Sequence, residues 1–279
     1  MTTNTHFAHS FMPRTVRNWL RKPSRSLRYV IDRVSFSCGS LSVVPMPGDW
    51  SIKCHPASRA HFEVFRNDPS QAKEFAAFLS FSRIGMQLLD IGAHHGFFAL
   101  AAIRVGGPTA KVLCLEPSPE AAKILRANVH ANNSDGQVQI LEVAAGQRDE
   151  AVRMLTTGPF GADYFVVPGG PRTDTTLVQS RSIQSSLDET GFHPTHVKMD
   201  IEGYEYEVVE ASIETLSELK PILYLELHGQ YLRQRDRDPA VVIENLRKAG
   251  YTSFYCDQQL MDEDSMSSLG FDCRLVCIA

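Results

Sequence analysis

The chain has 279 residues, of which 43% are apolar and 22% charged, as is typical of a globular protein. Its formal net charge is −4, and no apolar run approaches the roughly 18 residues that a membrane-spanning helix needs. The six cysteines form no C-x-x-C pair, which favours a reduced compartment over a disulfide scaffold. The composition therefore excludes a membrane-spanning chain and a disulfide-rich secreted domain, and we expect a cytoplasmic protein.

The first 33 residues are predicted to be a basic tail or helix. Six of the 28 basic residues and none of the 32 acidic ones lie in residues 1–31. Three hypotheses fit this segment: an organelle transit peptide, peripheral contact with an anionic membrane through Phe11, Trp19 and Leu20, or a solvated tail. The remaining body is acidic, so no nucleic-acid partner is expected.

Residues 34–279 are predicted to form one domain that begins with a small β layer. Residues 34–60 contain short β-like pieces that prolines and Gly48 interrupt, which indicates a hairpin packed on the main domain. Residues 69–83 follow with apolar residues at helical spacing.

Strand and helix patterns then alternate. Buried strands are predicted at MQLLDIG, KVLCLEP, VQILEVAAG, THVKMDIEG, PILYLELHG, YTSFYC and FDCRLVCIA. Helices are predicted at GFFALAAIRVG, SPEAAKILRANVHANN (with Ser118 as N-cap), YEYEVVEASIETL and PAVVIENLRKAG. Such alternation predicts an α/β doubly wound sheet, which binds its ligand beyond the carboxyl ends of the strands, where strand order reverses.

The segment 151–185 interrupts this pattern between the third and fourth strands. It is rich in Gly, Pro and Thr and is too long for a plain connection. We expect an insertion over one edge of the ligand cleft.

The sequence LLDIGAHHGFFAL has the strand, glycine turn and helix start of a nucleotide loop. Gly92 lets backbone approach a ligand, and Gly96 lets the helix pack on the strand. The spacing is not the G-x-G-x-x-G of dinucleotide sites. The bulk of His94 leaves little room for a pyrophosphate, and the Asp90 carboxylate would repel one. A cationic ligand suits Asp90 better.

The second strand ends at Glu116, whose carboxylate can accept both hydroxyls of a ribose. A nucleoside with a cationic end and no phosphate describes S-adenosylmethionine, the predicted cofactor. Its expected contacts also include Ala144, at the end of the third strand. Two simpler interpretations remain: His94 and His95 only fill the turn, and Glu116 is a helix-start acid.

Four stretches together resemble the FkbM-type methyltransferases: LLDIGAHHGFFAL, CLEPSPEAAKILRANVHAN, SLDETGFHPTHVKMDIEGYEYEVVEA and KPILYLELHG. The resemblance spans roughly residues 60–260, and its most specific piece is K-x-D-x-E-G followed by E-x-H. Family members usually carry Asn where this chain has His94. The resemblance implies a Rossmann-like class I methyltransferase fold with a seven-stranded sheet and a reversed last strand. It also implies S-adenosylmethionine as donor and O-methylation of sugars, glycolipids or polyketide-like metabolites.

Asp200 and Glu202 follow strand four, and Glu226 and His228 close strand five, so both pairs are expected at the cleft. Methyl transfer to a hydroxyl requires alignment and a base that takes its proton. The first hypothesis makes His228 or a carboxylate that base. The second, less favoured, places Mg²⁺ or Mn²⁺ on Asp200, Glu226 and His228.

Other residues near this cleft have two interpretations each. Lys198 could pair with an acid at the edge of the core or position the acceptor oxygen, and it is included among the catalytic candidates. Glu205 and Glu207 are interpreted as solvated charges at a helix start, where the helix dipole favours acids. Tyr204 and Tyr206 are interpreted as packing residues.

The predicted function is therefore a methyltransferase for a small-molecule or glycan hydroxyl. Two alternatives stay open from the residues alone. One is a nicotinamide-dependent oxidoreductase on a similar sheet, and the other is a methyltransferase-like module without activity.

Overall fold

The strands and helices predicted from the sequence form a twisted eight-stranded sheet with helices on both faces. The computed structural model describes residues 31–32, 34–156, 164–166, 175–262 and 272–279. The predicted basic segment 1–33 lies almost wholly outside these residues. The strands are β1 (Ser42–Met46), β2 (Trp50–Cys54), β3 (Gln87–Ile91), β4 (Lys111–Leu115), β5 (Val138–Leu141), β6 (Ala144–Ala145), β7 (Glu150–Thr156), β8 (Tyr164–Val166), β9 (Thr175–Arg181), β10 (His196–Met199), β11 (Ile222–Leu227), β12 (Ser253–Cys256), β13 (Gln259–Leu260) and β14 (Cys273–Ile278).

The helices follow the predicted pattern with three additions and one division. They are α1 (Arg59–Asn67), α2 (Pro69–Phe81), α3 (Phe97–Gly106), α4 (Pro119–Ala131), α5 (Ile183–Thr190), α6 (Glu205–Ala211), α7 (Ile213–Leu219), α8 (Gly229–Gln234) and α9 (Pro239–Lys248). Helices α1, α5 and α8 were not predicted. Each is short, and α5 begins within the segment 151–185 that was interpreted as an insertion. The single helix predicted after strand four divides at Ser212 into α6 and α7. Within the described residues, no helix is both long and apolar enough to cross a membrane.

The main sheet has the strand order β13-β12-β14-β11-β10-β3-β4-β5. Strands β3, β4, β5, β10 and β11 are parallel, whereas β14 runs antiparallel to both β11 and β12. This confirms the doubly wound sheet with a reversed last strand, to which β13 adds a two-residue eighth strand. The strand order reverses between β3 and β10, so ligand binding is expected above these two strands.

The sheet separates two apolar cores. Leu89 and Ile91 of β3 pack with Val197 and Met199 of β10 on one face, while Leu88 packs on the other. Strands that are covered on both faces require nearly continuous apolar sequence. These strands could therefore be predicted although apolar and polar residues do not alternate along them. Helices α1 to α3 cover the face that carries Leu88.

The N-terminal β layer is the hairpin of β1 and β2. Its loop of residues 47–49 places Gly48 at a φ of 82° and Asp49 at 49°, a left-handed region that Gly and Asp tolerate better than most residues. Asp68 then caps α2 by accepting hydrogen bonds from the Ser70 and Gln71 amides, and Pro69 occupies the first turn, where it loses no hydrogen bond.

A second sheet is built largely from the segment predicted as an insertion. Its order is β6-β9-β7-β8, and the long antiparallel pair β7–β9 forms its centre. The parts of the insertion at residues 157–163 and 167–174 lie outside the described residues. The described part therefore forms a β structure rather than an irregular loop.

Candidate active site

Two glycines shape the turn between β3 and α3, which we call the cofactor loop (residues 92–96). Gly92 and Gly96 have φ values of 80° and 82°, a region that side chains disfavour. A side-chain carbon at Gly92 would collide with the Asp200 carbonyl oxygen, and one at Gly96 would collide with Leu125. Gly92 therefore brings the cofactor loop directly against the end of β10.

Glu116 holds the far side of the cofactor loop. Its two carboxylate oxygens accept the His94 amide at 2.7 Å and the Ser118 amide at 2.8 Å. Burial raises the pKa of Glu116 to about 7, although these two amides lower it in part. Each carboxylate oxygen keeps a second lone pair for a further donor. Ser118 also caps α4 through the Ala121 amide, as predicted.

Asp90 lies beneath the cofactor loop. Its carboxyl is buried, and its Oδ2 has no hydrogen-bond partner among the described residues. Burial raises the pKa of Asp90 to about 7, while the charge of Lys198 lowers it. Asp90 is thus a buried acid in β3, immediately before the cofactor loop.

Ala144 lies in β6, where it pairs with Ser180 of β9 and packs with Met154 and Val178. It is buried at the junction between the main sheet and the second sheet. The structure therefore places it beyond the carboxyl end of β5.

The carboxyl ends of β10 and β11 gather the acid–histidine cluster, which consists of Asp200, Glu202, Glu205 and His228. His228 Nδ1 lies 2.7 Å from Glu205 Oε1. Its Nε2 lies 3.5 Å from Glu202 Oε2 and 3.8 Å from Asp200 Oδ1. Glu202 has a φ of 52°, which is uncommon for a non-glycine residue and turns the chain at the strand end.

The cluster strongly shifts the pKa of His228. Burial favours the neutral imidazole, but the hydrogen bond that His228 donates to Glu205 and the charges of Glu205, Asp200 and Glu202 outweigh burial and raise its pKa to about 9. For Asp200, burial acts against ionisation, yet the charges of Lys198 and His228 lower its pKa below the ordinary value. At neutral pH the cluster thus contains an imidazolium surrounded by carboxylates.

The interpretation of Glu205 as a solvated charge was wrong. Glu205 is fully buried, and the same Oε1 that contacts His228 also accepts the Gly203 amide at 3.0 Å. It therefore fixes both the imidazole and the turn that carries Glu202. The E-G-x-E spacing was the only sequence clue, and it does not reveal a partner 23 residues later.

Glu207 is also buried rather than solvated. It accepts hydrogen bonds from Arg235 at 2.8 Å and from Arg237 at 3.2 Å. These arginines cover the rings of Tyr204 and Tyr206, at 4.7 and 4.9 Å from the ring centroids. Both tyrosines thus pack under guanidinium groups at the edge of the site.

Lys198 lies in a buried ion-pair network behind the cluster. Its ammonium is 3.0 Å from Glu74, 3.7 Å from Asp200 and 3.9 Å from Glu226. Burial opposes the charge, but these carboxylates raise the pKa of Lys198 above its ordinary range. This is the geometry of the core-edge alternative, in which Lys198 orients Asp200 from behind.

Glu226 belongs to the same network. It pairs with Arg274 at 2.5 Å and lies 4.0 Å from His228. Asp200, Glu202 and His228 instead bring one potential ligand atom each within 4.8 Å of one another. A divalent ion in this cluster would therefore use Glu202 in place of the expected Glu226.

His94 has a φ of 48°, and its ring faces helix α1. The ring stacks on His95 with centroids 3.8 Å apart and contacts His61 of α1 edge-on at 4.8 Å. The backbone amide of His94 donates to Glu116. No sequence pattern indicated His61 as a neighbour of the loop, because His61 lies far from it in the chain.

Comparisons with known proteins were made for sequence and for structure. The FkbM methyltransferase domain family matches residues 90–253, more than half of the chain. No curated protein has a sequence that matches this chain.

Solved structures give weaker likenesses. The FkbM methyltransferase of Methylobacillus flagellatus KT is 19% identical with a TM-score of 0.47, covering 70% of this chain and 44% of that one. This chain thus spans less than half of that protein's length. Aeropyrum pernix fibrillarin with bound S-adenosyl-L-methionine is 8% identical with a TM-score of 0.46, covering 86% and 83%. A putative tRNA (m1A22) methyltransferase of Streptococcus pneumoniae, in complex with the same molecule, is 13% identical with a TM-score of 0.43, covering 74% and 71%.

The matched range contains the cofactor loop, Glu116 and the acid–histidine cluster. The chain belongs to the FkbM methyltransferase family, and residues 90–253 are its methyltransferase domain.

Proposed function

We propose that the chain is an S-adenosylmethionine-dependent O-methyltransferase that acts on a hydroxyl of a sugar, a glycolipid or a secondary metabolite. The observation that carries this proposal is the acid–histidine cluster, which lies against the cofactor loop through the contact between Gly92 and Asp200. A hydroxyl acceptor requires a base beside the methyl donor. The cluster supplies titratable groups at that position.

The residues around the cofactor loop fit S-adenosylmethionine. Glu116 has free acceptor capacity on both oxygens for a ribose diol, because each oxygen receives one backbone amide. The carboxylate of Asp200, the residue against Gly92, suits a cationic ligand nearby. When bound, this cofactor supplies a methyl group already activated on a sulfonium.

His228 is the proposed base. Glu205 holds its Nδ1, so Nε2 is the nitrogen that faces Asp200 and Glu202 and receives the acceptor's proton. A cation bound near Nε2 lowers the pKa of His228, because like charges disfavour the imidazolium. Cofactor binding would thereby prepare the base.

The metal alternative stays second. Asp200, Glu202 and His228 could hold a divalent ion that lowers the pKa of the acceptor hydroxyl. The short Glu205–His228 contact leaves Nε2 available for either role. Activity that survives exhaustive chelation excludes an essential ion, and activity that returns only with Mg²⁺ or Mn²⁺ favours the metal mechanism.

Calorimetry with S-adenosylmethionine and with NAD tests the cofactor. Binding of the first alone supports the proposal, whereas binding of neither indicates an inactive module. Transfer of labelled methyl to a panel of sugars, glycolipids, hydroxylated metabolites and RNA then identifies the acceptor class. Methylation of RNA alone would contradict the proposed acceptor and the expectation of no nucleic-acid partner.

Substitutions in the acid–histidine cluster distinguish a role in turnover from a role in cofactor binding. Glu202→Gln and His228→Ala are expected to keep the affinity for S-adenosylmethionine and to lower turnover by about 100-fold or more, as expected for loss of a general base. Isothermal titration and single-turnover rates measure the two effects. Loss of cofactor binding in either variant would show that these residues contact the cofactor instead.

A further inference from the structure

Three histidine rings meet where α1 crosses the cofactor loop. His94 and His95 are stacked, with an angle of 12° between their planes. His61 contacts both rings edge-on, at centroid distances of 4.8 and 5.1 Å. Each histidine offers a ring nitrogen, and these three atoms lie within 4.8 Å of one another. We call this group the histidine triplet.

Ordinary packing does not account for the triplet. His95 is 1% exposed, and neither of its ring nitrogens has a hydrogen-bond partner among the described residues. A buried polar group without a partner is costly, and proteins rarely keep such groups without a reason. If both histidines only filled the turn, the cost of burying the unpartnered ring nitrogens of His95 would remain unexplained.

The backbone holds the two loop histidines firmly. The His94 amide donates to Glu116, and the His95 carbonyl accepts from Asn128 Nδ2 at 2.8 Å. The same Asn128 nitrogen donates to Ser58 Oγ, immediately before α1. The loop and the start of α1 are therefore positioned by one buried amide.

We propose that His61, His94 and His95 bind a late first-row divalent ion of the zinc class, which links α1 to the cofactor loop. Imidazole-only ligation suits Zn²⁺, Ni²⁺ or Cu²⁺ and is unsuited to Mg²⁺ or Ca²⁺, which prefer oxygen. Zinc–nitrogen bonds of about 2.0–2.1 Å require the three nitrogens to converge by up to about 1.5 Å. The stacked rings of His94 and His95 must also turn, because a metal binds in the plane of an imidazole. Three ligands from the chain leave a fourth position for water. This site is distinct from the acid–histidine cluster and does not depend on the proposed methyl transfer.

The test uses Zn²⁺ alone and protein purified without a polyhistidine tag. All measurements are made in the Glu202→Gln background, which weakens the competing acid–histidine cluster. Titration calorimetry should show one zinc per chain, and X-ray absorption at the zinc edge should show imidazole nitrogens as ligands. Added zinc should also raise the midpoint temperature of thermal unfolding, because a ligand that binds the folded state stabilises it.

Adding His61→Ala or His94→Asn should lower the zinc affinity by more than about 100-fold, since even loss of an outer partner of a ligand costs 10- to 100-fold. Asn tolerates the positive φ of position 94, so the second variant tests the site if the first fails to fold. His193→Ala, which removes an exposed histidine elsewhere, is the matched control and should bind zinc normally. Absence of zinc binding in the background protein, or unchanged affinity in folded His61→Ala and His94→Asn variants, would overturn the proposal.

Discussion

At the scale of single residues, the Glu205–His228 pair decides how the cluster titrates. A free histidine has a pKa near 6.5, and a carboxylate partner favours its charged form. Here one buried carboxylate contacts Nδ1 and two more lie near Nε2. Glu205 is therefore a positioning residue, since it touches the imidazole and the turn rather than the acceptor.

If His228 is the base, kcat/KM should rise with pH as the imidazole loses its proton and level off above about 9 in the free enzyme. Glu205→Gln removes the charge that raises this pKa, so the rise should move to lower pH, toward the ordinary value. A pH–rate profile of both proteins measures the shift. An unshifted profile would show that another group carries the proton.

The same pair predicts how stability depends on pH. Because the pKa of His228 is raised on folding, its contribution to the free energy of unfolding is complete below the unfolded value of about 6.5 and disappears as pH rises through about 9. Urea unfolding between these pH values should show a larger loss of stability in the wild type than in Glu205→Gln.

Gly92 offers a second prediction at this scale. Gly92→Ala should destabilise the protein by about 2 kcal/mol or more, because it combines a positive φ with a collision against the Asp200 carbonyl. Gly48→Ala is the matched control, since Gly48 has a φ of 82° and no atom within 4 Å of the added carbon. Denaturant unfolding of both variants isolates the collision. Equal losses would mean that β10 can move away from the loop.

At the scale of elements, the turn between β10 and α6 depends on the end of α8. Arg235 donates to the Gly203 carbonyl at 2.5 Å and to Glu207, and it covers the ring of Tyr204. An added side-chain carbon at Gly203 would lie 2.5 Å from Tyr231, so α8 packs closely on this turn. Helix α8, which was not predicted from the sequence, thus holds the segment that carries Glu202.

Arg235→Ala should lower stability by about 1–3 kcal/mol, because it removes hydrogen bonds from a charged donor. It should also lower turnover more than the affinity for S-adenosylmethionine, since the Glu202 turn loosens. Arg233→Ala, an exposed arginine of the same helix, should change neither quantity. Unfolding curves, kinetics and calorimetry on the three proteins check this prediction, which an unchanged Arg235→Ala protein would contradict.

At the scale of the whole molecule, an ion-pair network joins helix α2 to the main sheet. Glu74 of α2 lies 3.0 Å from Lys198 of β10 and 2.9 Å from Arg274 of β14. Arg274 in turn pairs with Glu226 of β11. One buried lysine and one arginine therefore connect a helix with three neighbouring strands of the central sheet.

Lys198→Met should lower the free energy of unfolding by about 3–5 kcal/mol, because removal of one partner leaves buried carboxylates uncompensated. The double variant Lys198→Met/Glu74→Gln should recover part of this loss, since it also removes a carboxylate. A double-mutant cycle in urea gives the coupling energy. Additive losses would show that Lys198 and Glu74 do not depend on each other.

Much of the fold followed from local patterns in the sequence. Buried parallel strands need short apolar runs, and the helices between them begin at caps such as Ser118, so the alternation could be recognised residue by residue. Gly92 and Gly96 marked the cofactor loop, because few other residues allow such a turn. The ends of β10 and β11 likewise placed Asp200, Glu202 and His228 in one cleft.

Only the tertiary structure decided which charges are buried and with whom they pair. Glu205 and Glu207 have the sequence of solvated helix-start acids, yet His228, Arg235 and Arg237 approach from other elements and bury them. His61 likewise joins His94 and His95 through the packing of α1. Burial and pairing depend on residues distant in the chain, and no local period or spacing encodes those contacts.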